Sequence, residues 1–188
     1  MAAVEFALIS PVLLLLFFGT VELTRAFGAR AQVLETASTA ADLVAQAGAL
    51  SSSDISNVFT AATAILYPYY DPGSGVSYKE IKPRIIVASV IDNNDTSFMT
   101  GKVQWSCGFN NTGSGGSEID NSLDAGKIVD FNGQPLMTSG GSVIVAKVVY
   151  SYVSPTTQIL TGPTLMTNTF YLQPRRVAQI PAPASCPT

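Results

Sequence analysis

Two hydrophobic rhythms divide the chain. Residues 6–21 carry no ionisable side chain, and beyond them Phe27, Ala31, Leu34, Ala37, Ala41, Val44 and Gly48 recur every three to four positions, with Glu35, Thr39, Asp42 and Gln46 on another side. This spacing predicts one helix from residue 2 to about residue 47, some ~70 Å long at 1.5 Å per residue. Pro11 interrupts it: proline offers no backbone donor and its ring crowds the carbonyl of Ala7, so a kink or a melted turn is expected there. Gly19 and Gly28 are further soft points. Ser51, Ser52, Ser53 and Asp54 are cap candidates for a second helix over residues 55–66, which Tyr67-Pro68 should stop.

From there the period becomes two. Residues 84–91, 98–107, 143–153 and 166–172 are rich in β-branched and aromatic side chains and are separated by Gly, Pro, Asn and Ser, which predicts strands. In the second, Val103, Trp105 and Cys107 are expected on one face, with Lys102, Gln104 and Ser106 on the other. The third has the pattern of a central strand, with Ile144, Ala146, Val148, Tyr150 and Tyr152 sharing a face. The expected class is α+β: a long kinked stalk helix, a short helix, and an antiparallel sheet packed on helix. The expected division is a membrane or filament-core helix and stalk over residues 1–50 and a globular domain over 51–188. Residues 108–141 include a Gly/Ser-rich run and are expected to be a flexible loop, with an Asn132-Gly133 turn that closes a small hairpin.

Composition sharpens the picture at one end. Of 188 residues 47% are hydrophobic and the mean hydropathy is +0.30, most of the excess lying near the amino terminus. As a helix, residues 6–21 would reach about 24 Å, short of the ~30 Å hydrocarbon core of a bilayer; residues 1–4 supply the rest. A secretory signal would begin with basic residues and end at a small-residue cleavage site. Here the helical pattern continues past Arg25. Arg25 and Arg30 follow the apolar run, and by themselves would keep the domain on the cytoplasmic side. Beyond the membrane segment the helical stripe is dominated by small side chains, which suit close packing in a bundle of parallel helices and suit packing on the chain's own sheet equally well.

Glu5 is the one charge ahead of the apolar run. At mid-bilayer depth an acidic side chain costs roughly 2.5–3.5 kcal/mol. A helix places residue 1 beside residue 5, so the α-amino group of Met1 can pair with Glu5 in the same chain or in a neighbour, fixing axial register. The alternative is that Glu5 sits at the membrane interface near the positive end of the helix dipole.

The segment Ala-Ala-Val-Glu-Phe-Ala-Leu-Ile-x-Pro, the leucine-rich run after it, Gly19 and Val21-Glu22-Leu23-x-Arg25 resemble the amino terminus of TadE-like and TadG-like pseudopilins, relatives of the type IV pilins. Tyr171-Leu172-Gln173-Pro174-Arg175-Arg176 resembles that family's closing segment. The resemblance covers both ends and leaves the middle unmatched. It implies a subunit held in the bacterial inner membrane and then packed with other pilin subunits into an extracellular filament that serves adhesion. It further implies a prepilin peptidase that removes a basic leader, and separate assembly machinery. Glutamate at the fifth mature position fits Met1 as the processed first residue; Met1 as initiator fits the sequence equally. A basic leader would hold the amino end inside and send the rest out. Shaft pilins of the family are typically much shorter chains, which implies a minor or tip role; a membrane-retained assembly scaffold is the rival of a different class.

The remaining chemistry is sparse. There is no histidine, which removes the usual triads and the commonest zinc ligand, and neither a catalytic centre nor a cofactor site is expected. A net charge of −3 and a pI near 4.8 argue against nucleic acid as a partner. Cys107 and Cys186 are the two cysteines; in an oxidising compartment a bridge between them would staple the proline-rich tail to the domain, the alternative being two unrelated thiols. Asp92-Asn93-Asn94-Asp95 supplies oxygens for Asx-turns between strands, or for a calcium ion if carbonyls and water completed the shell. Tyr67, Tyr69 and Tyr70 are possible surface contacts, although their place after the second helix favours a packing hinge. Arg175 and Arg176 either bridge to acidic residues of an adjacent subunit or solubilise a final strand.

Overall fold

A computed structural model of the chain describes residues 2–70, 82–111, 120–153 and 164–187. Helix α1 (Ala2–Ala45) runs unbroken through Pro11. The proline leaves the carbonyl of Ala7 without its helical donor, and the Ser10 hydroxyl supplies one instead at 3.4 Å. A melted turn is therefore not needed at Pro11, because the freed acceptor is satisfied within the helix.

Helix α2 (Ser52–Ile65) begins at a capping box: the Asp54 amide donates to Ser51 Oγ, and the Ser51 amide donates to the Asp54 carboxylate at 2.9 Å. Five antiparallel strands follow among the described residues: β1 (Arg84–Asp92), β2 (Thr100–Phe109), β3 (Ile128–Asp130), β4 (Ser142–Tyr152) and β5 (Thr164–Leu172). They form one sheet in the order β3-β2-β1-β4-β5, so the first strand in the chain becomes the centre. This is an α+β architecture, with α1 lying over β4 and β5 and α2 packed on α1.

Both faces of the central strands β1 and β4 are buried. The face toward the helices carries Ile85, Val87, Trp105 and Cys107, together with Ile144, Ala146, Val148, Tyr150 and Tyr152 of β4, the set expected from period two. The other face carries Ile86, Ala88, Val90, Val143 and Val145, and it is covered by Leu123, Phe131 and Met137. The expected flexible loop over 108–141 is thus corrected in two respects. Residues 108 and 109 finish β2, and residues 120–141, which include β3, form a fitted cover with three buried apolar side chains. The Gly/Ser-rich run at 112–119 lies outside the described residues.

Val103 is a second correction. It was expected beside Trp105 and Cys107, yet it packs on the opposite face with Val90. Ser89 pairs with Trp105 and Val90 with Val103, so Gln104 is the extra residue of a β-bulge, and one unpaired residue inverts every position beyond it. The second strand also begins at Thr100 rather than 98, because Phe98 has a φ of 55° and turns the chain out of extended geometry.

The tail after β5 binds across both layers. The Arg175 amide donates to the Ala45 carbonyl at the end of α1. Gln173 Nε2 donates to the Leu136 carbonyl and Gln179 Nε2 to the Gly140 carbonyl in the cover segment. Ile180 is fully buried, and its carbonyl accepts from Trp105 Nε1 at 2.9 Å. Cys107 and Cys186 are bonded, closing a span of 79 residues with Cα atoms 5.3 Å apart.

Candidate assembly interface

The packing of α1 divides within the helix rather than at its end. In the most apolar stretch of the amino-terminal part no residue is buried against the rest of the chain, and Leu8 and Leu15 are 74% and 71% exposed. From Ala29 onward the helix enters the core: Ala29, Val33, Ala37, Ala40, Ala41 and Val44 are buried against sheet and second helix. The small side chains here let α1 lie close on β4 and β5, so this half of the expected stalk is structurally part of the globular domain.

The single stripe expected from sequence splits in two. Ala37, Ala41 and Val44 turn inward, whereas Phe27, Ala31 and Leu34 stay exposed, Phe27 at 61% and Leu34 at 47%. Leu23 extends that outward row toward the membrane-length segment. Leu23, Phe27, Ala31 and Leu34 fall at i, i+4, i+8 and i+11, which is one helical face. It is flanked by exposed Arg30 and Glu35. The result is an apolar surface that runs continuously from the first turns of α1 to beside the domain.

Glu5 lies in the first turn and is exposed; Met1, its expected partner, lies outside the described residues. Gly19 has open space around it and no neighbour within van der Waals reach.

The tyrosine turn is placed inward rather than outward. Tyr67 is exposed, but Tyr69 and Tyr70 pack at the margin of the helix-side core. The Tyr69 hydroxyl donates to the Arg25 carbonyl at 3.1 Å, and Gln32 Nε2 donates to the Tyr67 carbonyl at 2.9 Å. Behind the turn, Tyr150 Oη donates to the Tyr69 carbonyl at 2.8 Å. Burial, with smaller contributions from Tyr152 and Tyr69, pushes the Tyr150 phenol up to about 12. Arg25, Gly28 and Gln32 had no sequence signal for this role beyond lying on one helical face.

Arg175 pairs within the chain, its Nη2 lying 2.6 Å from Asp42 Oδ1, while Arg176 remains exposed. Asp92 to Asp95 form consecutive Asx-turns: Asp92 Oδ1 accepts from the Asn94 amide and Asn93 Oδ1 from the Asp95 amide. The Asp95 carboxylate accepts from the hydroxyls and amides of Ser97 and Thr100, which lowers it to about 2. Its oxygens are engaged by the chain's own donors. Among the described residues no three of His, Cys, Asp and Glu gather as a metal site.

The most consequential pair missed from sequence is Lys147 and Asp120. Lys147 Nζ lies 2.7 Å from Asp120 Oδ2 and donates to Ser122 Oγ at 2.8 Å, tying the start of the cover segment to β4. Burial pushes the Asp120 carboxyl up, but the hydrogen bonds from Lys147 and Ser122 outweigh it and leave the group at about 2.

No curated protein and no solved structure matches the chain. The family described as TadE-like protein matches residues 1–42. That span contains the whole exposed apolar half of α1 and its first turns inside the domain, so the chain is similar to TadE-like, pilin-related proteins over the helix that carries the candidate interface.

Proposed function

We propose that the chain is a structural, non-catalytic subunit of a bacterial Tad-type, type IV pilus. It is anchored in the inner membrane by the exposed half of α1 and then packed through that same surface against other pilin subunits in an extracellular filament that serves adhesion. The observation that carries this reading is the division of α1. One half is built into the core of the domain, while the other presents a membrane-length apolar surface that the described residues do not cover. A water-soluble domain leaves such a surface exposed only where lipid or another protein covers it. The TadE-like match over residues 1–42 supports the same assignment and associates the chain with the Tad pilus system. Prepilin peptidase and separate assembly machinery are the further partners of this reading.

Quantitative mass spectrometry of sheared, purified filaments tests it, comparing the wild type with Glu5→Ala at equal expression. The expected result is recovery of the chain in filaments and a drop of about tenfold for Glu5→Ala, with the folded domain intact, since an unpaired charge or a lost partner costs on the order of 1–3 kcal/mol at a water-poor interface. High abundance identifies a shaft subunit, and low but reproducible abundance a minor or tip subunit. Absence from filaments with retention in the membrane would replace this reading with the assembly scaffold.

A further inference from the structure

We propose that the turn at residues 66–70 is a clamp that fixes α1 where it leaves the folded domain, so that the exposed half of the helix and the domain move as one body. Three positions of α1 meet this turn. The Arg25 carbonyl accepts from the Tyr69 hydroxyl at 3.1 Å, and Gln32 Nε2 donates to the Tyr67 carbonyl at 2.9 Å. Between them lies Gly28, where an added Cβ would stand 2.6 Å from Tyr69 Oη and 3.7 Å from Tyr69 Cζ. Residues 25, 28 and 32 share one helical face, so the phenol sits in the notch left by the missing side chain, with a hydrogen bond on either side of it.

The turn is itself held by two other elements. Leu66, at the end of α2, is fully buried. From β4, Tyr150 donates its hydroxyl to the Tyr69 carbonyl at 2.8 Å, and the Tyr152 ring meets the Tyr69 ring edge-on at 6.1 Å between centroids. Helix, sheet and long helix therefore converge on this five-residue turn. Their position gives the contact its consequence: full burial of α1 side chains begins at Ala29, so the clamp grips the helix at the boundary between the exposed and docked halves. Without it, the first hold on α1 would be the packing of Ala29, and the exposed half would swivel from there.

A turn that merely filled space would give the opposite response to one substitution. Glycine in a helix interior is intrinsically unfavourable relative to alanine, so Gly28→Ala by itself strengthens the helix. If the clamp holds α1, the same methyl drives the Tyr69 hydroxyl off the Arg25 carbonyl and loosens the helix instead. Hydrogen–deuterium exchange by mass spectrometry on the full chain in detergent micelles, read over the amides of residues 26–32, separates the two. We expect protection to fall about tenfold in Gly28→Ala and about threefold in Tyr69→Phe, the range of one lost hydrogen bond with and without displacement of the ring. The double variant should be at least as protected as Tyr69→Phe, because the colliding oxygen is then absent, the ring meets the methyl at ordinary contact distance and the alanine favours the helix. Protection in Gly28→Ala equal to or above that of the wild type would overturn the clamp. So would a loss from Gly28→Ala of the same size whether or not the Tyr69 hydroxyl is present. The readout is local to α1 and the turn, so it stands or falls separately from the pilus assignment.

Discussion

At the residue scale, the Lys147–Asp120 ion pair fastens one layer to another. Lys147 projects from the strand face that otherwise carries Val143 and Val145, and Asp120 meets it from the start of the cover segment. Both side chains are largely shielded, at 20% and 17% exposure, so the pair is screened less than a surface ion pair. The Asp120 carboxyl titrates at about 2 in the folded chain against 3.8 for an unperturbed aspartate. A depressed carboxyl stabilises the fold fully at pH values above its unfolded pKa, and that contribution disappears as pH falls through the folded one. Asp120→Asn should therefore cost about 1 kcal/mol near neutral pH, after discount for the remaining solvent access, with the difference from wild type vanishing between about pH 4 and pH 2. Urea melts at a series of pH values check this; a deficit that persisted unchanged at pH 2 would mean that the loss comes from the neutral hydrogen bonds to Ser122 and not from charge.

At the scale of elements, α1 performs two tasks along one helix, and its two faces should respond oppositely to substitution. Ala37 is fully buried against the sheet, so Ala37→Leu overpacks the core and should cost about 1–3 kcal/mol of domain stability. Leu34 points outward a turn away, so Leu34→Ser should stay within about 0.5 kcal/mol by thermal melting while reducing recovery in filaments. Stability loss from Leu34→Ser would show that the row is covered within the chain. Sequence periodicity located this helix and four of the five described strands, β3 being missed, because a 3.6-residue or two-residue rhythm is imposed by direct contact with a core. It did not separate Phe27, Ala31 and Leu34 from Ala37, Ala41 and Val44, since both sets are apolar and only packing distinguishes them. The phase of Val103 was hidden for a different reason. Gln104 looks like an ordinary outward residue of an alternating strand, and a bulge is visible only against the partner strand's register. The cover over the second sheet face left a readable trace elsewhere: Ile85, Ile86, Val87 and Ala88 are consecutive and apolar, the pattern of a strand buried on both sides. Leu123, Phe131 and Met137, which do the covering, follow no period and could not be picked out.

At the scale of the whole molecule, the tail determines whether helix, sheet and cover behave as one unit. Residues 173–187 contact the end of α1 through Arg175, the cover through Gln173 and Gln179, and the sheet through Trp105 and Ser142. Each of these contacts is a single hydrogen bond or a half-exposed ion pair, of the order of 1 kcal/mol or less, and a chain end held only by them would fray. The Cys107–Cys186 bond changes that balance, because it closes a 79-residue span and removes open conformations from the unfolded chain. In the loop-entropy account its contribution is about 4 kcal/mol. Cys186→Ser should accordingly lower the melting temperature by about 10 °C, given a few degrees per kcal/mol for a domain of this size. The loss should be cooperative across sheet, cover and the docked half of α1, and should leave exchange in the exposed half of the helix unchanged, since the described tail contacts meet α1 at Asp42 and Ala45. A shift of only about 2 °C would mean that buried Ile180, with its carbonyl bonded to Trp105, already holds the tail in place, the covalent bond adding little to what burial achieves.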